Sequence, residues 1–195
     1  MFFQCVMLAV MFIGAPHLTG VGPAKGGDTD PAIKDFNDRV QRYWDLHKKV
    51  EDAAPPIDKK KEPDPAAIVA HERATADGIR AARMNAAEGD IFTPAVQKIL
   101  VATIKQELSS GRGATARAMI LGEGNPKNPE SPARVDLVVN AKYPPNAPLS
   151  TVPPSVLLSL PKLPQGLEYR FVGRHLILYD SKANLIVDIL RNAVR

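Results

Sequence analysis

The sequence predicts an α+β fold, and three observations carry that expectation. Between residues 30 and 121 apolar residues recur at three- and four-residue steps, the period of a helix with one buried stripe. From Leu167 to Leu190 the run LEYRFVGRHLILYDSKANLIVDIL alternates apolar and polar residues with the period of a strand. The two regimes meet around GEGNPKNPESP, a stretch of turn-forming residues, so helices and strands are segregated along the chain.

The first helix starts at Thr29-Asp30-Pro31, where a capping side chain precedes a proline already suited to the first turn. Ile33, Phe36, Val40, Tyr43 or Trp44, His47 and Val50 form its stripe, and it ends near Ala53. PPIDKKKEPDP, from Pro55 to Pro65, reads as a solvated linker because its prolines and charges suit neither helix nor strand. Asp64-Pro65 opens a second, alanine-rich helix that runs to about Ala87. Gly78 lies inside it and costs roughly 1 kcal/mol relative to alanine. Thr93-Pro94 opens a third helix, with Val96, Ile99, Leu100, Thr103, Ile104 and Leu108 on its buried face and Gly111 as a stop. Residues 114–121 add a short fourth helix.

In the C-terminal part, Arg134 to Tyr143 has a β-rich centre and reads as a strand. Pro153-Pro154 opens a short helical turn, SVLLSL, confined by Pro161 and Pro164. Gly173-Arg174 fits a two-residue type II′ hairpin turn, which pairs Val172 with His175, Phe171 with Leu176 and Tyr169 with Leu178. Leu167, Tyr169, Phe171, Leu176 and Leu178 then share the inner face. Glu168, Arg170, Val172, His175, Ile177 and Tyr179 share the outer one. Asp180 to Asn184 is a second turn, in which Asn tolerates positive φ. Leu185 to Leu190 is a third strand, apolar on both faces except for Asp188, and is placed centrally or under a helix. The expected organisation is a helical region over 25–121 and a β-rich region over 122–195, sharing one core.

Residues 1–24 contain no Asp, Glu, Lys or Arg and have the shape of a secretory signal, an apolar run followed by small residues. No Lys or Arg precedes that run; either the start is misassigned or the α-amino group is the only positive charge ahead of it. Cleavage is expected after Ala24, giving a periplasmic or secreted protein; the alternative is an uncleaved anchor in the inner membrane. The single cysteine, Cys5, would leave with the leader, so disulfides and thiolate chemistry are excluded from the mature chain. All 25 Lys and Arg and all 21 Asp and Glu lie beyond residue 24, so the net charge stays at +4. With both signs interspersed, that balance specifies no partner.

The segments FNDRVQRYWDLHKKVED and GDIFTPAVQ, together with the C-terminal hairpin, resemble a family of exported bacterial proteins with no assigned activity. The hairpin LPKLPQGLEYRFVGRHLILYDSKANLIVDIL is also similar to the closing hairpin of small periplasmic proteins linked to nickel and cobalt homeostasis. The resemblance implies a fold and a location but no reaction. A metal role is not implied, because this hairpin has one histidine and no ligand cluster.

Chemical motifs are sparse. His47 and Glu51 are four residues apart and would share a metal only if the second helix brought His71 close. The simpler reading has His47 filling the apolar stripe and Glu51 solvated, so no metal and no cofactor is expected. The serines lie in no G-x-S-x-G or S-x-x-K setting, and the glycine clusters lack a phosphate-loop pattern. Asp180 and Asp188 suit an acid/base pair only if other groups converge on them; Asp180 has the simpler role of starting a turn. Tyr169-Arg170-Phe171 does not match an RNA-recognition signature, and no nucleic-acid partner is expected.

The functional expectation is a non-enzymatic envelope protein that binds a protein, an envelope component or a small ligand. Arg170, His175, Ile177 and Tyr179 form its expected contact surface. The alternatives are a periplasmic hydrolase with a site assembled from distant segments, and a membrane-tethered structural protein.

Overall fold

The structure, a computed structural model, describes residues 30–57, 62, 64–109, 113–123, 135–144, 147 and 150–194. The expected leader, its cleavage point, the stop at Gly111 and most of GEGNPKNPESP lie outside the described residues. The elements run α1 (Pro31–Ala53), α2 (Pro65–Ala82), α3 (Pro94–Leu108), α4 (Gly113–Glu123), β1 (Ser150–Thr151), α5 (Pro154–Ser159), β2 (Leu167–Val172), β3 (His175–Asp180) and β4 (Leu185–Leu190). The fold is α+β, with the helices first and an antiparallel meander of order β1-β2-β3-β4 last.

Proline at N1 fixes the start of each of the first three helices, and a side-chain cap assists two of them. Asp30 accepts from Ala32 N at 2.8 Å and Asp64 from Ala66 N at 3.0 Å. Thr93 makes no such bond, so α3 starts on proline alone. Ile33, Phe36, Val40, Tyr43 and His47 are the buried stripe of α1. Gly78 lets α2 pack closely on α1: a Cβ there would lie 2.5 Å from Val50 Cγ1. The propensity lost to glycine is therefore offset by a close helix contact that alanine would force apart.

The second helix ends at Ala82, earlier than its composition suggests. Arg83 leaves the helix and turns towards the sheet, donating to Asn140 Oδ1 at 3.0 Å and to Val187 O at 3.2 and 3.3 Å. Its guanidinium also lies 5.0 Å from the centre of the Tyr43 ring. Burial lowers the Arg83 pKa from its ordinary value, while Tyr43, Asp188 and Asp90 pull it the other way.

The β2–β3 register is the one that the turn and the face pattern specify, with Val172↔His175, Phe171↔Leu176 and Tyr169↔Leu178. Gly173 has φ 56°, as the first residue of a II′ turn requires, and Asn184 has φ 51° in the next turn. Ser150 and Thr151 add a two-residue strand beside Phe171 and Arg170 that no sequence pattern indicated.

One expectation is corrected. Residues 135–138 are not a strand; only Lys142 forms a bridge, to Leu185. The segment instead lies across the outer face of the sheet, where Val135, Leu137 and Tyr143 bury Val172, Ile177, Ile186 and Ile189. The third strand of the meander, expected centrally or under a helix, is at one end of the strand order and lies under the helices. It is buried on both faces because helices cover one side and this segment covers the other. The pairing passes from Leu178↔Asp188 to Tyr179↔Ile186, which leaves Val187 as an extra residue. That bulge lets Asp188 share the helix-facing side with Leu178 and Leu190.

Candidate functional site

Two features bear on function: a buried knot of polar groups that fastens α1 to the sheet, and an open groove beside it. The knot forms where the stripe of α1 meets the β3–β4 turn. Asp180 is fully buried and accepts from Tyr43 Oη at 2.6 Å and from the backbone N–H of Lys182 and Ala183, both at 3.0 Å. His47 Nδ1 lies 2.6 Å from the same Asp180 oxygen that receives Tyr43. Burial alone would raise the Asp180 carboxyl; the hydrogen bonds from His47 and Tyr43 overcome it and hold the pKa below the ordinary carboxylate range. Burial, helped by Asp180, pushes the Tyr43 hydroxyl far above its ordinary value, so it stays a donor.

The sequence reading gave Asp180 a turn and no convergent partners. The turn is there, but Tyr43 and His47 converge on it from more than a hundred residues away. Their positions at the 43 and 47 steps of the stripe were legible; the acceptor they would meet was not.

On the other side of its ring, His47 Nε2 lies 3.4 Å from Glu51 Oε2 and has no hydrogen-bond partner although buried. Trp44 stacks on the His47 ring with centroids 4.6 Å apart. Trp44 is in turn backed by Gly166, whose φ is 103°; a Cβ there would stand 2.9 Å from Trp44 Cη2. The second helix does bring His71 close, with Nε2 4.0 Å from Glu51 Oε1. Glu51 is only 29 % exposed and also meets Lys182 Nζ at 3.3 Å, so it is not the freely solvated residue expected.

Asp188, near the end of β4, is the counterpart of Asp180 at the end of β3. Its carboxylate accepts from the backbone of Gly89 at 2.9 Å and of Ile91, Phe92 and Ile189 at 2.7 Å. Burial raises its pKa against the pull of those N–H groups. Asp180 and Asp188 each hold a separate set of hydrogen-bond partners.

The expected contact surface is not one exposed face. Ile177 is fully buried under the 135–143 segment. Tyr179 is half-buried, edge-on to Tyr143 at 5.9 Å and donating to Asn184 Oδ1 at 2.9 Å. Arg170 pairs with Glu168. His175 Nδ1 accepts from Asn192 N at 3.1 Å, which ties the chain end to the hairpin. The physical reason is the misread segment: an apolar outer face that no strand extends is covered by irregular chain instead.

Burial, then Arg191 and Arg174, lower the His175 pKa, and a proton on Nδ1 would also remove the Asn192 contact. A depressed pKa means that the unfolded chain binds the proton more readily. The contribution of His175 is therefore complete above its ordinary value of about 6.5 and is lost as pH falls through the lower folded value. Urea midpoints should fall more steeply from pH 7.5 towards pH 5 for the wild type than for His175→Gln. Parallel curves would refute the assignment.

The groove lies between α1, α3, α5 and β2 and has a volume of about 1190 Å³. Its floor includes Val40, Leu100, Leu160 and Leu167, and Asn37, Gln41, Thr103 and Gln106 line its helical walls. Of the expected contact residues, Arg170 alone lines it. Ser159 donates to Glu107 Oε1 across it at 2.8 Å. Among the described residues no helix is long and apolar enough to cross a membrane. No family model, curated protein or solved structure matches this chain.

Proposed function

We propose that this chain is an exported, non-enzymatic envelope protein acting as a binding module, with an elongated, largely apolar ligand held in the helix–sheet groove. One observation carries the reading: the groove is roomy, and its lip keeps Leu157 and Leu158 in water at 49 % and 87 % exposure. Apolar side chains gathered at a rim over a concave apolar floor are what the body of a ligand would cover. The amides and hydroxyls of the walls offer hydrogen bonds for orientation. Turnover has less support. The groove sets Ser159 against a carboxylate and has no histidine among its lining residues, and a carboxylate is a weak base for activating serine. Export rests on the leader-like composition of residues 1–24.

One preparation tests both parts. The chain is expressed in a bacterium with its native N-terminus, recovered from the periplasm or medium, and weighed by intact mass spectrometry. It is then titrated with Nile red as an apolar probe. The expected product starts at residue 25 and enhances Nile red emission. A Leu157→Asp, Leu158→Asp variant, altered only at exposed positions, should bind the probe at least about tenfold more weakly, since each covered leucine contributes about 1.5–3 kcal/mol. A product retaining Met1 in the membrane fraction would overturn export. Probe binding that is absent, or equal in the variant, would overturn the groove.

A further inference from the structure

Outside the groove, two imidazoles and a carboxylate face one another between α1 and α2. His47 and Glu51 stand one turn apart on α1, and His71 reaches across from α2. Each ring is tied through its Nδ1. That of His71 lies 2.8 Å from the carbonyl oxygen of Pro55, which can only accept, so His71 Nδ1 donates there and Nε2 is the nitrogen turned to Glu51. That of His47 lies 2.6 Å from Asp180, a carboxylate already accepting from Tyr43, Lys182 and Ala183. His47 Nδ1 therefore donates too, and Nε2 is left facing Glu51 at 3.4 Å without a hydrogen-bond partner. A buried ring nitrogen that faces a carboxylate without a hydrogen bond calls for positive charge between them, which a proton or a metal cation can supply. Histidines held by a carboxylate or a backbone carbonyl on one nitrogen and open on the other are also what metal sites use to fix ligand orientation.

We propose that His47 Nε2, Glu51 and His71 Nε2 bind a divalent transition-metal cation, zinc being the best fit. Two imidazoles and one carboxylate suit zinc, and they disfavour magnesium and calcium, which prefer all-oxygen shells. Tetrahedral bonds of about 2.0–2.1 Å place ligand atoms about 3.3 Å apart. His47 Nε2 lies 3.4 Å from Glu51 Oε2, close to that spacing, and His71 Nε2 lies 4.0 Å from the other carboxylate oxygen, Oε1. Among the described residues no three His, Cys, Asp or Glu side chains are preassembled as a metal cluster. Here the cation position is contested by Lys182, whose ammonium lies 3.3 and 3.4 Å from the two Glu51 oxygens. Lys182 is 45 % exposed and can swing into water, which frees both Glu51 oxygens for a cation and lets His71 close on it. The partial exposure of Glu51 and His71, at 29 % and 18 %, leaves a solvent side for a water as fourth ligand. This site shares no residue with the groove, so it stands or falls separately from the ligand reading above.

The only tryptophan in the chain is a built-in reporter, because Trp44 stacks directly on His47. The test uses the purified chain without a polyhistidine tag. Cobalt(II), which is paramagnetic, should quench Trp44 emission, and excess zinc should restore it. Calorimetry should give one zinc per chain. His71→Ala and Glu51→Gln alter partly exposed groups and should retain the wild-type circular dichroism while weakening zinc at least about tenfold. Lys182→Ala should bind zinc more tightly, which a merely structural role for the cluster would not produce. No zinc heat together with no cobalt quenching overturns the proposal. So does binding that is equally tight in His71→Ala or Glu51→Gln, and so does zinc affinity that is unchanged or weaker in Lys182→Ala.

Discussion

Asp188→Ala should destabilise the protein by about 3–5 kcal/mol, the largest single-residue effect expected outside the apolar core. Its carboxylate is the acceptor for the N–H groups of Gly89, Ile91, Phe92 and Ile189, and the substitution removes it from three buried donors and a part-buried one at Gly89. Those bonds fix the turn between α2 and α3, and the turn places Phe92, whose ring stacks on Phe36 at 5.9 Å and on Tyr169 at 6.5 Å. Losing the acceptor therefore loosens a contact between the helices and the sheet as well as a loop. Asp188→Asn should cost less, since a carboxamide oxygen still accepts while its NH₂ group opposes the remaining N–H groups. Urea unfolding gives the magnitude. Amide exchange gives the place: Gly89, Ile91 and Phe92 should lose protection in Asp188→Ala well before the β2–β3 hairpin does. Equal protection in variant and wild type would show that the turn is held by something else.

Asp180→Ala should cost nearly as much, about 3–4 kcal/mol, by a different route. It leaves the Tyr43 hydroxyl and the His47 Nδ1–H unpaired in the core and removes the acceptor for the N–H of Lys182 and Ala183. Because Tyr43 and His47 lie on α1 and Asp180 ends β3, the loss falls on the seam between helix and sheet. Trp44 reports it directly, and its emission should shift to the red as the α1 face opens. Pairing Asp180→Ala with Tyr43→Phe should give less than the sum of the single effects, since both remove the same bond. Additive losses would mean that Tyr43 and Asp180 do not interact in solution.

Both carboxylates lie in the C-terminal stretch that the sequence describes best; Asp180 was legible there as the start of a turn, but what either carboxylate meets across the fold was not. Alternation and a glycine-first turn suffice to specify a hairpin, since a one-residue slip would move every apolar side chain to the wrong face. What Asp188 meets depends on the Val187 bulge, and an apolar run on both faces gives no sign of where a bulge falls. What Asp180 meets depends on the angle at which α1 crosses the sheet. The stripe of α1 gave His47 a buried position, but periodicity shows only that a residue faces inward, not what lies opposite.

The candidate sites divide in the same way. His47, Glu51 and His71 were identifiable as residue types with suitable spacing, and the spacing on α1 is fixed by helix geometry alone. Their meeting with His71 depends on α2 folding back closely enough, which Gly78 permits by presenting no Cβ to Val50. The groove could not be read at all, because its lining comes from separate helices, a strand and the 157–164 turn, whose only relation is spatial. Misreading residues 135–138 as a strand had the same origin, since β-rich composition suits any segment that packs flat on a sheet.

By itself, then, the sequence determined the helix starts, the buried stripe of α1, the hairpin register and the α+β class, because each follows from local periodicity, proline or turn chemistry. The tertiary structure alone decided that Asp180 and Asp188 anchor the helices, that Ile177 is covered, and that a groove opens beside β2. Those outcomes depend on contacts between residues far apart in the chain, where the free energy of burial and hydrogen bonding acts through space and leaves no periodic trace in the sequence.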